Sequence, residues 1–101
     1  MNFRQIEAFR AVCETGSMTA AGEALGIPQP AISRLIRDLV QQFDLQLFTR
    51  KGARISPTQD AIALQQEVER CFDGLEQVVK FANGLNRSRN EQLRIAAPVG
   101  Q

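Results

Sequence analysis

The most chemically specific part of this sequence is the stretch GIPQPAISR, which runs from Gly26 to Arg34. Two prolines flank Gln29 at the expected start of a helix, and Ser33 follows one turn later. Prolines forgo few hydrogen bonds in a first turn, because the amides there lack helical partners. A glutamine amide held on such a turn can pair with adenine in the major groove, and serine and arginine can reach phosphate or, for arginine, guanine. The stretch predicts a helix that contacts DNA.

The surrounding sequence, SMTAAGEALGIPQPAISRLIRDL, has the spacing of a helix-turn-helix. This motif needs small residues where its helices cross, a glycine in the turn, and apolar residues on the inner side of the second helix. These requirements are met, in that order, by Ala21 and Gly22, by Gly26, and by Ile32, Leu35 and Ile36. Ser17 or Thr19 can cap the first helix of the motif. Both residues, and Arg37 in the second helix, are also predicted to contact DNA. In isolation, the proline-flanked glutamine could equally start an ordinary helix and remain solvated; the preceding helix and turn favour DNA contact.

Further elements are predicted on both sides of this motif. Asn2 and Gln5 have the spacing of a capping pair and predict a first helix that ends at Gly16. The helix after the proline pair extends to about Phe43. Beyond it, the short β-prone runs LQLFTR and RISP, separated by KGA, predict a two-stranded wing. The first part of the chain is therefore predicted to be a small helical core with a β-hairpin.

Positive charge is concentrated in the second helix of the motif and in the wing. Residues 1–58 carry seven basic and five acidic side chains, whereas the whole chain carries 12 and 11. The basic residues concerned are Arg34, Arg37, Arg50, Lys51 and Arg54. A basic hairpin tip is usually just solvent-exposed, but beside a recognition helix it is predicted to contact phosphates or the minor groove.

A long helix is predicted from Thr58 to about Asn86, where the chain has no proline. Apolar positions repeat along it as a heptad seam, which predicts dimerisation through Ala61, Gln65, Val68, Phe72, Leu75, Val79 and Ala82. A second stripe beside the seam consists of Leu64, Cys71, Val78 and Leu85. The following NGLNRSRNEQ resembles a polar linker, and LRIAAPVG resembles the first strand of a further domain. The predicted segments are 1–57, 58–86 and 87–101.

Composition argues against an enzyme. The chain has no histidine and no glycine-rich phosphate loop, and its two cysteines lack the spacing of a metal site, so the usual groups for metal and nucleotide chemistry are missing. We expect no metal and no cofactor. The N-terminus lacks an apolar signal core, and no apolar run approaches membrane-spanning length, which predicts a cytoplasmic protein. The main alternative to DNA binding is a helical dimerisation module that binds only protein.

With these motifs in order, the sequence resembles the LysR-type transcriptional regulators over nearly its whole length. The resemblance runs through FRQIEAFRAVCETGSMTAAGEALGIPQPAISRLIRDL, LFTRKGARISPT and the long helix. It implies a mainly α winged helix-turn-helix that binds double-stranded DNA at a pseudo-palindromic operator. It also implies a linker helix that pairs antiparallel in a dimer, with tetramers as a further state. A small-molecule effector would bind only to a full-length chain, in a C-terminal domain.

The resemblance also implies roles for individual residues. The positions matching Gln29, Pro30, Ser33 and Arg34 meet the major groove, and Arg54 or its neighbours enter or flank the minor groove. Three positions depart from the family pattern: Pro28 stands for a serine or threonine cap, Gly22 for an alanine, and Ala61 for a glycine. Gly22 is expected to cost the second helix about 0.5 to 1 kcal/mol, unless close packing requires it.

Overall fold

The computed structural model describes residues 1–52 and 54–96 of the chain. Within these residues the chain is mainly α-helical, with one antiparallel two-stranded hairpin, as the sequence predicts. The elements are α1 (Phe3–Thr15), α2 (Met18–Leu25), α3 (Gln29–Phe43), β1 (Phe48–Lys51), β2 (Arg54–Pro57) and α4 (Gln59–Ala96).

Local hydrogen bonds set the ends of the first two helices. Asn2 and Gln5 form the predicted capping box at α1, since the backbone N–H of each donates to the side-chain oxygen of the other at 2.9 Å. Gly16 ends α1 with a positive φ of 72°, a conformation that glycine adopts without strain. Ser17 caps α2, because its hydroxyl accepts the Ala20 N–H at 3.1 Å. Of the two predicted caps, Thr19 therefore lies inside the helix.

The turn between α2 and α3 requires a glycine at position 22. The Ile27 N–H donates to the Gly22 carbonyl at 3.0 Å, which folds the turn back onto α2. A Cβ atom at Gly22 would lie 2.7 Å from the Ile27 carbonyl oxygen and 3.4 Å from the Gln29 nitrogen. Both neighbours are backbone atoms, which cannot rotate away as a side chain can. Close packing against the turn thus explains Gly22, where the sequence departs from the alanine of the family pattern.

Replacing Gly22 with alanine should therefore destabilise the protein, although alanine is the better helix former. We expect the free energy of unfolding to fall by about 1 to 3 kcal/mol, the usual cost of overpacking. Urea denaturation followed by circular dichroism measures this change. Glu23→Ala, at the exposed neighbouring position, is the control and should change stability by less than about 0.5 kcal/mol. A Gly22→Ala midpoint at or above the wild-type value would contradict the close approach seen here.

The wing is attached to the helical core through β1 and the start of α4. Phe48 of β1 lies against the fully buried Phe9 of α1, with ring centroids 5.7 Å apart and planes at 47°. Thr58 donates its N–H to the Leu47 carbonyl at 2.9 Å and its hydroxyl to the Gln46 carbonyl at 2.6 Å. The same hydroxyl accepts the Ala61 N–H at 3.1 Å and so caps α4. These contacts fix the base of the hairpin relative to α1 and α4.

Helix α4 is longer than the sequence predicts. It continues without interruption to Ala96, so the prediction that the helix ends near Asn86 and is followed by a polar linker is wrong. Once a helix is formed, each further residue costs little, and arginine, glutamate and glutamine propagate it well. Residues 93–96 of the predicted strand are also helical, and the rest of that strand, residues 97–101, lies outside the described residues.

The chain forms two compact units that divide within α4. The first unit ends at Val68 and contains α1 to α3, the hairpin and the start of α4; the second unit begins at Glu69 and contains the rest of α4. The core of the first unit is apolar, and its largest fully buried side chains are Phe9, Val12, Ile32, Leu39 and Leu47. In the part of the chain that the structure describes, no helix combines the length and the apolarity needed to cross a bilayer.

Candidate nucleic-acid interface

Helix α3 has one buried face and one exposed polar face. Ile32, Ile36 and Leu39 are buried, which fixes the rotation of the helix on the core. The opposite face is exposed and carries Pro30, Arg34, Arg37 and Gln41 at spacings of three, four and seven residues. Three of these four residues were predicted from the sequence to contact DNA. Gln41, seven residues after Arg34, lies on the same exposed face but is not among the predicted contacts.

The start of α3 holds Gln29 and Ser33, two further residues that are predicted to meet the major groove. Gln29 is the first helical residue, and its Nε2 donates a 2.7 Å hydrogen bond to the Ser33 hydroxyl one turn later. Pro28 precedes the helix and makes no side-chain cap, as expected for a residue without a polar side chain. The Ala31 N–H donates to the Pro28 carbonyl at 3.0 Å. The predicted pair Gln29 and Ser33 is therefore in direct contact.

The start of α2 lies beside the wing. Ser17, Thr19 and Arg50, all predicted to contact DNA, line a pocket of about 140 Å³ together with Gly16, Met18 and Ile55. The amides at a helix start carry partial positive charge, to which Arg50 adds a full one. This corner of the first unit is therefore suited to a negatively charged group such as a phosphate.

The end of the hairpin carries two positive charges side by side. Lys51 and Arg54 are paired directly across the two strands, and both side chains are exposed. Like charges at opposed strand positions destabilise a hairpin, unless an anion lies between or beside them. Gly52, with φ of 66°, provides the turn next to this pair. The wing thus combines a stable attachment at its base with unfavourable charge at its tip, as a polyanion-binding element would.

The predicted dimerisation seam is only partly available to a partner. Ala61 and Val68 are 0% and 4% exposed within the first unit, so including them in the dimer surface is a wrong prediction. A periodic apolar pattern does not distinguish contacts within a chain from contacts between chains. Ala61 and Val68 make contacts within the chain. Gln65 and Phe72 are half-buried. The exposed members of the seam are Leu75, Val79 and Ala82.

A wider apolar surface is exposed on the second unit than the seam alone predicts. Phe81 is 69% exposed, the largest value among the large apolar side chains that the structure describes, and it belongs to neither predicted stripe. Val78 and Leu85, members of the second stripe, are 64% and 53% exposed. Phe81 lies three residues after Val78 and four before Leu85, so it extends that stripe. Helix α4 therefore presents two neighbouring apolar stripes in this unit.

Comparison with known proteins identifies the family. Residues 3–62, more than half of the chain, match the family described as bacterial regulatory helix-turn-helix protein, lysR family. The chain belongs to the LysR family. The matched region contains α1 to α3, the wing and the start of α4, which are the elements that position the candidate interface.

Curated relatives of this LysR-family chain agree with the assignment. The octopine catabolism/uptake operon regulatory protein OccR of Rhizobium meliloti is 53% identical over 97 residues, which are 96% of this chain and 33% of that protein. The regulatory protein NocR of Agrobacterium fabrum is 50% identical over 93 residues, which are 92% of this chain and 31% of that protein. The chain thus spans about a third of the length of these relatives.

Solved structures show the same fold as this LysR-family chain. The BenM DNA-binding domain, in a complex with catB site 1 DNA, matches with a TM-score of 0.80 and 27% identity, covering 88% of this chain and 96% of that one. The CbnR DNA-binding domain, in a complex with DNA, matches with a TM-score of 0.75 and 28% identity, covering 85% and 99%. The winged helix-turn-helix followed by a long helix, expected from the sequence, is confirmed.

Proposed function

We propose that this chain is the DNA-binding part of a LysR-type transcriptional regulator and binds double-stranded DNA sequence-specifically. The observation that carries the proposal is the start of α3, where the partly buried side chains of Gln29 and Ser33 are in contact and the adjacent Arg34 is exposed. The buried face of α3 holds these groups on a rigid core. The complexes of the BenM and CbnR domains with DNA support a DNA ligand for a chain of this fold.

Different parts of the interface serve different purposes in this proposal. Gln29 and Arg34 read base edges in the major groove, because amide and guanidinium groups form bidentate pairs with adenine and guanine. Pro30 contacts bases or sugars through its apolar ring. The remaining predicted contacts are to the backbone or the minor groove, and they position the domain without reading the major groove. These residues are Ser17, Thr19, Arg37, Arg50, Lys51 and Arg54.

In the proposed function, the chain dimerises through α4. The exposed residues of the seam and of the second stripe provide an apolar surface that a second copy would bury, and a two-fold dimer presents two copies of α3 to two half-sites. The operator is then roughly palindromic. Pairing of dimers into tetramers and binding of a small-molecule effector would involve the remaining two thirds of a full-length regulator. The proposed protein is cytoplasmic, because its ligand is DNA, and non-enzymatic, because the relatives that it resembles are regulatory proteins.

A salt titration of DNA binding tests this function against the protein-only alternative. A DNA-binding domain releases counterions, so the logarithm of its association constant should fall linearly with the logarithm of salt concentration, with a slope of about −0.9 per phosphate contact. We expect salt-sensitive retardation of random duplexes and tighter binding to the operator. A helical module that binds only protein would retard no duplex at any salt concentration, and that result would overturn the proposal.

The wing variants Lys51→Ala and Arg54→Ala should weaken binding to all duplexes alike. Each lost phosphate contact should flatten the salt slope by about one unit, because one fewer counterion is released. Fluorescence anisotropy at several salt concentrations measures the slope. Lys80→Ala, at an exposed lysine on α4, is a matched control and should leave the slope unchanged. If both wing variants keep the wild-type salt slope, the wing does not contact the DNA backbone. Only a minor-groove contact by Arg54 would then remain possible for the wing.

A further inference from the structure

Ser33 contacts the side chain to which the proposed function assigns base recognition. The hydrogen bond from Gln29 Nε2 to Ser33 Oγ is 2.7 Å long and joins residues one helical turn apart. Both side chains are partly buried, so water competes for this bond less than it would at an exposed position. We propose that Ser33 is a positioning residue, which holds the Gln29 amide in the orientation that reads one base pair. This inference rests on the proposed function.

The backbone beneath Gln29 has little freedom left. The rings of Pro28 and Pro30 fix φ on both sides of it, and the Ala31 N–H is bonded to the Pro28 carbonyl at 3.0 Å. What remains free is the long amide side chain, whose rotamers must be restricted when it binds a base. The bond to Ser33 restricts them before DNA arrives, which favours binding through preorganisation.

The direction of this hydrogen bond also determines what the amide presents. A glutamine amide nitrogen has two hydrogens, and its oxygen is an acceptor. With one hydrogen donated to Ser33, the second hydrogen and Oε1 remain as a neighbouring donor and acceptor. This pair matches the N7 acceptor and N6 donor of adenine. Without Ser33, the amide loses this partner and its side chain samples more rotamers, so the preference for one base should weaken.

A double-mutant cycle on the operator tests the proposal. The operator is first selected from randomised duplexes with the wild-type chain, and affinities are then measured for Ser33→Ala, Gln29→Ala and the double variant. Ser33→Ala should weaken operator binding about 2- to 10-fold, the range for one neutral hydrogen bond. It should lose preference at the same base pair as Gln29→Ala, and it should have no further effect in the Gln29→Ala background. Affinity for random duplexes and the salt slope should stay unchanged.

Ser33→Thr is the matched variant, because it keeps the hydroxyl and should keep the preference. The proposal is overturned if Ser33→Ala costs the same factor with and without Gln29, since Ser33 would then contact DNA independently. It is also overturned if Ser33→Ala retains wild-type discrimination at the Gln29 base pair. If the wild-type chain selects no sequence, the proposed function itself fails, and this inference fails with it; circular dichroism excludes unfolding of the variants.

Discussion

The double variant Leu75→Glu, Val79→Glu should be monomeric and should bind a two-half-site operator about 100-fold or more weakly than the wild type. Both side chains are exposed in the single chain, at 48% and 58%, and both belong to the predicted seam. Burying two unpaired carboxylates in a dimer interface is costly. A dimer that holds one half-site binds the second one at a high effective concentration, which raises the overall affinity about 10²- to 10⁴-fold. A monomer binds a single half-site and loses this increase. Sedimentation equilibrium and operator titration measure the two effects.

A control on the opposite side of α4 separates dimerisation from charge. Arg87→Glu alters one exposed position that lies, by helical spacing, away from both apolar stripes, and it adds the same negative charge as the test variant does. It should remain a dimer, with twice the 11.2 kDa mass of the chain. If the added charge acted only by repelling DNA, operator binding by this control would weaken as much as operator binding by the seam variant. If the seam variant still sediments as a dimer at micromolar concentration, the exposed face of α4 is not the interface.

The second large effect is expected at the start of α3. Gln29→Ala and Arg34→Ala should each weaken binding to the operator by about 1 to 3 kcal/mol, the value of one bidentate base contact. Binding to random duplexes should change little, because base contacts supply specificity whereas phosphate contacts supply most of the general affinity. Competition titrations with operator and random duplexes measure the ratio directly.

Gln42→Ala provides the comparison for these two variants. Gln42 is an exposed residue of α3, but it lies near the opposite end of the helix from Gln29. Its replacement should leave the ratio of operator to random affinity unchanged. Equal losses on operator and random DNA for Gln29→Ala and Arg34→Ala would show that neither residue reads bases, and the assignment of α3 as the reading helix would be withdrawn.

The helical core could be predicted from the sequence because its boundaries are set locally. The Asn2 and Gln5 capping box, the glycines that end α1 and α2, and the proline pair before α3 each act within a few residues of one another. The contact between Gln29 and Ser33 follows from the same helical spacing, although neither its direction nor its length does. The sequence therefore indicated which residues of α3 share a face.

Features that depend on distant contacts could not be predicted in the same way. The need for Gly22 arises from the backbone of the following turn, at Ile27, so helix propensity alone gives the wrong sign for an alanine there. The burial of Ala61 and Val68 depends on packing within the first unit, which the heptad pattern does not specify. Helix α4 is longer than predicted because a polar composition favours a linker in the sequence, whereas composition alone does not end a helix.

Selection of bound duplexes from a randomised library, with the wild-type chain, tests the central claim most directly. We expect enrichment of one sequence in two copies related by two-fold symmetry, with centres separated by whole helical turns of about 10 to 10.5 base pairs. Gln29→Ala should abolish the preference at one symmetric pair of positions. A library that remains random after selection, or an enriched site without a second half-site, would contradict the claim that the chain dimerises through α4 and recognises DNA through α3 and the wing.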